Sequence, residues 1–118
     1  MTGVQTCALP ISGSEGYQPE SFLSLAELRN CVFADYEGAD GQTWGGFVVL
    51  PSTASEVWEA LAERWGSFEH DGHTVLFREV PYSGLVGVTR TDSGMFGVSG
   101  AADEAQLRER LAVFASLR

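Results

Sequence analysis

The chain of 118 residues contains no lysine, and its seven basic residues face sixteen acidic ones. The net charge of −9 disfavours nucleic acid as a partner, because no basic stripe is present to displace the counterions of phosphates. The same shortage of positive charge disfavours an anionic membrane surface. A protein partner, in particular a basic one, is the macromolecule that this charge favours.

Cysteine and long apolar runs are also scarce. The chain has only Cys7 and Cys31, and Cys7 falls in a segment that we expect to be non-native. No intrachain disulfide and no paired-cysteine zinc motif are therefore expected, and the compartment stays undetermined. Since no run of roughly 18 apolar residues occurs, we expect no membrane-spanning segment in this chain.

The beginning of the chain does not read as natural protein. Translated back into DNA, residues 1–12 resemble the ligation adapter of short-read sequencing, so we expect them to be a non-native segment. Residues 13–23 are small, polar and proline-containing, which predicts a linker. Residues 24–118 then form a single domain. We expect it to be the C-terminal part of a longer bacterial protein whose natural N-terminus is missing.

Helical signals occur at three places. Ser24 and Glu27 have capping-box spacing and predict a short helix that ends near Asn30. A longer helix is predicted over 53–65, where apolar residues recur at intervals of three and four. A terminal helix is predicted from Asp103 onward, with Leu107, Leu111 and Phe114 on one face.

Six strands are predicted from alternating apolar residues bounded by turn residues. They cover 31–36, 43–50, 67–70, 73–80, 85–90 and 95–99. The pair Asp71-Gly72 lies between two of these strands and is a strong hairpin signal. We therefore predict an α+β fold, in which an antiparallel sheet of about five to six strands has two amphipathic helices packed on one face.

The segment around this hairpin is the richest in potential metal ligands. His70, His73 and Glu69 offer two imidazoles and a carboxylate that could converge on a divalent cation. A tight hairpin requires Asp71-Gly72 on its own account, however, and no further ligands stand at the spacing of a zinc site. We therefore expect exposed turn residues here, and no metal site.

Two nucleophiles require consideration. The segment 97–101 resembles a nucleophile elbow around Ser99, but Ala101 replaces the final glycine and no histidine follows. Cys31 begins an apolar strand and is expected to be a small buried residue without catalytic reactivity. We therefore assign no catalytic residue and no cofactor, and we expect that the chain is not an enzyme.

Tryptophan provides the candidate contact residues. Trp58 and Trp65 cannot both point fully inward from one helix together with Val57, so one of them is expected at the boundary between helix and sheet. An exposed Trp44 or Trp58 would be the natural anchor for a protein or small-ligand contact.

Five segments together are similar to a known family. They are Asn30-Cys31-Val32, Gly46–Pro51, Gly72–Arg78, Leu85–Val88 and Asp103–Leu117. Their arrangement resembles the extracytoplasmic regions of membrane-anchored anti-sigma factors, in which a hairpin with a similar aliphatic ending precedes another strand and a closing helix. The regular helix predicted over 53–65 departs from that family. The resemblance implies a regulatory domain that works through contact with another protein.

Two kinds of function therefore remain open. The first is a non-enzymatic regulatory or protein-interaction domain. The alternative is an acidic stand-alone protein, which either neutralises a basic toxin as an immunity protein does or binds a small ligand. The localisation and the oligomeric state do not follow from the sequence.

Overall fold

The computed structural model describes residues 9–38, 41–92 and 94–116. Within these ranges the helices are α1 (Pro51–Ala62) and α2 (Glu104–Ser116), and a 3-10 turn covers Phe22–Ser24. The strands are β1 (Leu9–Pro10), β2 (Gly16–Gln18), β3 (Cys31–Glu37), β4 (Thr43–Val49), β5 (Gly66–His70), β6 (His73–Val80), β7 (Gly84–Thr91) and β8 (Gly94–Ala101).

All eight described strands belong to one antiparallel sheet. Its order is β1-β3-β4-β8-β7-β6-β5, and β2 pairs with β3 on the same edge as β1. The predicted α+β class and antiparallel sheet are confirmed. The predicted number of about five to six strands is too low, because β1 and β2 lie in the residues predicted to be a non-native segment and a linker.

The hairpin of β5 and β6 forms at the predicted turn. His70 pairs directly with His73, so Asp71 and Gly72 are the two turn residues. Both have positive φ, 52° and 79°, as in the two-residue turns whose backbone twist matches that of the flanking strands. Glycine adopts this conformation without a steric penalty and aspartate tolerates it, so the local sequence sets the register of the hairpin.

The two helices lie on opposite faces of the sheet, and the prediction that both pack on one face is wrong. Successive side chains of a strand point to opposite faces. In β4, Phe47 and Val49 belong to the core cluster of α1, whereas Trp44 belongs to the core cluster of α2. The central strands are apolar on both faces, and each apolar face needs a helix to exclude water from it.

The core beneath α1 is built around Val57 and Leu61, which are one helical turn apart and fully buried. They share a cluster with sheet residues Phe47, Val49, Leu76, Val86, Val88 and Met95. Burying each side chain of this kind stabilises the fold by about 1.5–3 kcal/mol. This cluster therefore holds α1 against the middle of the sheet.

The core beneath α2 uses the predicted helix face. Leu107, Leu111 and Phe114 are buried against the other side of the sheet. A Cβ atom at Gly46 would lie 2.6 Å from Cε1 of Phe114, so glycine at this position permits the close approach of the helix. The helix begins as predicted, because the Asp103 carboxylate accepts a hydrogen bond from the backbone N–H three residues later, at 2.8 Å.

Residues 13–30 differ from both predictions made for them. The predicted linker 13–23 contains β2, and the predicted helix from Ser24 to Asn30 is replaced by the 3-10 turn and irregular chain. Leu25, inside the predicted helix, is extended with φ −103° and ψ 113°, which interrupts any α-helix here. The apolar side chains of this segment are buried instead in the α1 core; they are Phe22, Leu25 and Leu28. Burial has thus overridden the local capping signal.

The structure describes residues 9–12 of the segment predicted to be non-native. Leu9 and Pro10 pair with β3, and the Ile11 N–H donates a hydrogen bond to the Asp35 carbonyl at 2.8 Å. The Ile11 side chain remains 37% exposed. Ile11 belongs to neither core cluster. These contacts do not test whether an adapter encodes residues 1–12, which stays a prediction.

Helix α1 is shifted towards the N-terminus relative to the prediction of 53–65. Pro51 lies in the first turn of this helix, where a backbone N–H would have no partner within the helix, so its absence in proline removes no hydrogen bond. The helix ends at Ala62, and Gly66 opens β5 instead of capping the helix. Within the described ranges, no helix combines the length and the apolar character that crossing a bilayer requires.

Candidate functional site

An open cleft of about 440 Å³ lies between the C-terminal half of α1 and the ends of β5, β6 and β7. Its lining includes Trp58, Trp65, Ser67, His73, Thr74 and Arg90. We name this site the indole cleft. It opens on the face of the sheet that α1 covers, beside the hairpin of β5 and β6.

The two tryptophans of the cleft occupy different depths. Trp65 follows the end of α1, is only 7% exposed and belongs to the α1 core. Its backbone N–H donates to the Leu61 carbonyl at 2.9 Å, which continues the helical turn and directs the side chain inward. Trp58 is partly buried and packs at the edge of the same core. The prediction that only one of the two lies fully inward is confirmed.

Arg90 covers Trp58. It follows Val86 and Val88 at intervals of two along β7, so its side chain leaves the sheet on the face of α1. Its guanidinium carbon lies 4.6 Å from the centroid of the Trp58 ring, which is a cation–π contact. Among the described residues, this guanidinium has no ion pair and no hydrogen-bond partner.

The electrostatics of the cleft differ from those of the whole chain. Arg90 is the charged side chain in the described lining, and no carboxylate belongs to that part of it, although the chain carries sixteen acidic residues. Glu69 lies at the rim, where its carboxylate accepts a hydrogen bond from the Thr74 hydroxyl at 2.8 Å. The cleft therefore combines a guanidinium in its lining with a carboxylate at its edge.

One polar group beside the cleft lacks a partner. The Nε1 atom of Trp65 is buried, and no hydrogen bond to it is found within the described part of the chain. A buried donor without an acceptor costs about 1–3 kcal/mol. Trp65 thus lines the cleft and carries a buried hydrogen-bond donor without a described partner.

The predicted ligand-rich segment does not assemble a metal site. His70 and His73 form a directly opposed pair, but Glu69 precedes His70 in the strand and so points to the other face of the sheet. No group of three histidine, cysteine, aspartate or glutamate side chains comes together in the ranges that the structure describes. The two histidines instead line a cavity of about 60 Å³ against Leu111 of α2.

The prediction of Trp44 as an exposed contact residue is wrong. It is only 5% exposed, because it lies in the core between the sheet and α2. Its ring stacks on Tyr36 at a centroid distance of 5.2 Å, and Phe114 meets it edge-on. Burial on this face follows from the second helix layer, so Trp58 alone of the two remains at an open site.

The two candidate nucleophiles are both buried. Ser99 lies on β8 and lines neither the indole cleft nor the cavity beside α2. Cys31 is a free cysteine in the α1 core, as predicted, and burial raises the pKa of its thiol to about 12. The thiolate is the reactive form of cysteine, so this environment suppresses nucleophilic chemistry at Cys31.

Sequence reasoning found Trp58 but missed Arg90 as a site residue. A signal was present in the sequence. Arg90 follows Val86 and Val88 at intervals of two, so its side chain lies on the same face of the strand as these apolar residues. Nothing in the local pattern indicated which residue of α1 it would meet.

No protein-family model matches the chain, and neither a curated protein nor a solved structure gave a match. The resemblance to the extracytoplasmic regions of anti-sigma factors stays a prediction, and the indole cleft is the structural feature that bears on function.

Proposed function

We propose that this chain is a non-enzymatic binding domain that takes up a small ligand in the indole cleft. The observation that carries the proposal is the Arg90 guanidinium, which lies over the Trp58 ring and has no protein acceptor within the described residues. A volume of about 440 Å³ falls in the range of roughly 300–1,000 Å³ that is usual for ligand pockets. Two tryptophans line the cleft, and aromatic side chains are common in the walls of such sites.

The three tryptophans provide a direct test, because each indole N–H gives its own signal in a proton–nitrogen NMR spectrum. Trp58 and Trp65 line the indole cleft, whereas Trp44 is buried on the opposite face and serves as an internal control. We would titrate the protein with single-ring carboxylates, amines and neutral amides. The expected result is that at least one class shifts the Trp58 and Trp65 signals and leaves the Trp44 signal in place.

A variant pair connects these shifts to the cleft. Trp58→Ala removes the ring beneath Arg90 and should abolish the shift of the Trp65 signal, whereas Trp58→Phe keeps an aromatic face and should retain part of it. If no compound moves either cleft signal in the wild-type chain, small-ligand binding at this site is wrong. The same holds if Trp58→Ala binds as the wild type does.

A regulatory or protein-interaction domain is the second candidate function. The net charge of −9 supports it, since an acidic surface steers a basic partner by long-range attraction. A partner held in this way would contact the acidic exterior and not depend on Arg90. An association that Arg90→Gln leaves unchanged, and that weakens as salt rises, would favour this candidate over the first.

A further inference from the structure

We propose that the ligand of the indole cleft is a monoanionic carboxylate attached to a flat apolar ring, and that Arg90 binds its carboxylate. This inference rests on the proposed function and specifies the class of ligand. It starts from the position of Arg90, whose guanidinium carbon lies over the Trp58 ring, 4.6 Å from its centroid.

The guanidinium of Arg90 keeps its hydrogen-bond donors available for a ligand. Arginine carries five N–H donors in one plane. Those of Arg90 have no acceptor among the residues that the structure describes, and the contact of its guanidinium carbon is with the Trp58 ring. A carboxylate has two oxygens at the spacing of this fork and accepts two parallel hydrogen bonds. The Trp58 ring also restricts the arginine side chain before any ligand arrives, which lowers the entropic cost of binding.

The charge in the cleft favours an anion at Arg90. In the described lining Arg90 is the charged side chain, and no acidic residue belongs to that part of the lining. Three other arginines, at 29, 78 and 108, form ion pairs with glutamates of this chain. Arg90 differs from them because its only described contact is an aromatic face. A ligand carboxylate would supply the acceptor that the chain does not.

The surroundings favour a single negative charge over two. Within the described lining, Arg90 supplies the one guanidinium, and the Glu69 carboxylate contacts this lining through the Thr74 hydroxyl. A doubly charged group such as a phosphate monoester would meet repulsion from Glu69 and from the net charge of −9. A monoanion meets less repulsion and still satisfies the planar fork of Arg90.

The apolar part of the lining accounts for the ring of the ligand. Ala62, Trp65 and Leu76 contribute carbon surface to the same cleft. A flat ring would bury apolar area against these residues while its carboxylate extends to Arg90. Phenylacetate is the simplest probe with this shape, phenylacetamide is its neutral counterpart, and phenyl phosphate is its dianionic counterpart.

The experiment follows the Trp58, Trp65 and Trp44 indole signals during titration with each probe. We expect phenylacetate to bind about tenfold more tightly than phenylacetamide, as a charged acceptor on an arginine fork requires. Phenyl phosphate should bind more weakly than phenylacetate. The preference for the carboxylate should shrink as salt rises, because screening acts on exposed charges.

Two variants localise the effect. Arg90→Gln should lower the affinity for phenylacetate about tenfold and leave the affinity for phenylacetamide nearly unchanged. Arg64→Gln makes the same change in net charge at an exposed arginine that does not line the cleft, so it should leave both affinities close to those of the wild type. An unshifted Trp44 signal confirms that each variant is folded.

The outcomes separate the two proposals. If none of the three probes nor any compound of the wider set moves a cleft signal, the proposed function fails. If phenylacetate and phenylacetamide bind equally well, or phenyl phosphate binds best, small-ligand binding survives and the carboxylate assignment is overturned. The wild-type comparison of these probes decides the matter even if Arg90→Gln fails to fold.

Discussion

Replacing Gly97 by alanine tests the packing that places α1 over the sheet. Gly97 lies in β8 and pairs with Phe47 on one side and Val88 on the other. A Cβ atom at this position would press against the backbone carbonyl oxygen of Gly87 and would lie 2.6 Å from Cζ of Phe47. The carbonyl belongs to a paired strand and cannot move without displacing β7.

The expected cost follows from two opposing terms. Forcing a methyl group into a close-packed core destabilises a protein by about 1–3 kcal/mol. Replacing glycine by alanine also restricts the unfolded chain, which offsets about 0.4–1 kcal/mol of that cost. Because one of the obstructing atoms is backbone, we expect a net loss near 2 kcal/mol. For a domain of this size, that corresponds to a decrease of roughly 8 °C in Tm.

Urea unfolding followed by tryptophan fluorescence measures this change as a shift of the midpoint at constant slope. Gly45→Ala is the matched control, because its new Cβ atom would meet the Ser99 hydroxyl, a side-chain atom that can rotate away. We expect Gly45→Ala to cost less than about 1 kcal/mol. If Gly97→Ala is as stable as the wild type, or no worse than Gly45→Ala, the close approach inferred for β7, β8 and Phe47 is incorrect.

Two further predictions concern Cys31 and the first twelve residues. Burial raises the pKa of the Cys31 thiol from its usual 9.0 to about 12. The contribution of this thiol to the free energy of unfolding is therefore complete below pH 9 and is lost between pH 9 and 12, by about 1.4 kcal/mol per pH unit. Cys31→Val should remove this part of the pH dependence when stability is measured by urea unfolding, and an unchanged pH dependence would contradict the burial. Deletion of 1–12 should cost at most about 1 kcal/mol, because Ile11 keeps 37% of its surface exposed and the described contacts of this segment are mainly backbone hydrogen bonds at an edge of the sheet. A loss above roughly 3 kcal/mol in the same assay would argue against a non-native segment.

Most of the sheet was predictable because its signals are local. The Asp71-Gly72 turn, the alternation of β6 and β7, and the Asp103 cap each act over a few residues, and each formed where expected. The predicted helix after Ser24 failed, because a capping pattern contributes only about 1 kcal/mol. Burial of the three apolar side chains in that segment outweighs it.

The placement of the helices could not be obtained from the same local signals. The apolar run Phe47-Val48-Val49 alternates across β4, with Phe47 and Val49 towards α1 and Val48 towards α2. Such a run indicates a strand covered on both faces. It does not say which helix covers which face, because that depends on how the chain crosses the sheet after β4 and after β8.

The amino-acid order by itself determined where the strands, turns and main helices form, together with the acidic charge and the scarcity of reactive groups. These properties depend on neighbours within one or two turns of chain. Only the tertiary structure decided that Trp44 is buried and that Arg90 covers Trp58, because both outcomes require distant segments to meet across a sheet. The indole cleft exists for the same reason. Helix α1 supplies Trp58 and strand β7 supplies Arg90, and the sequence around either residue does not indicate that the two meet.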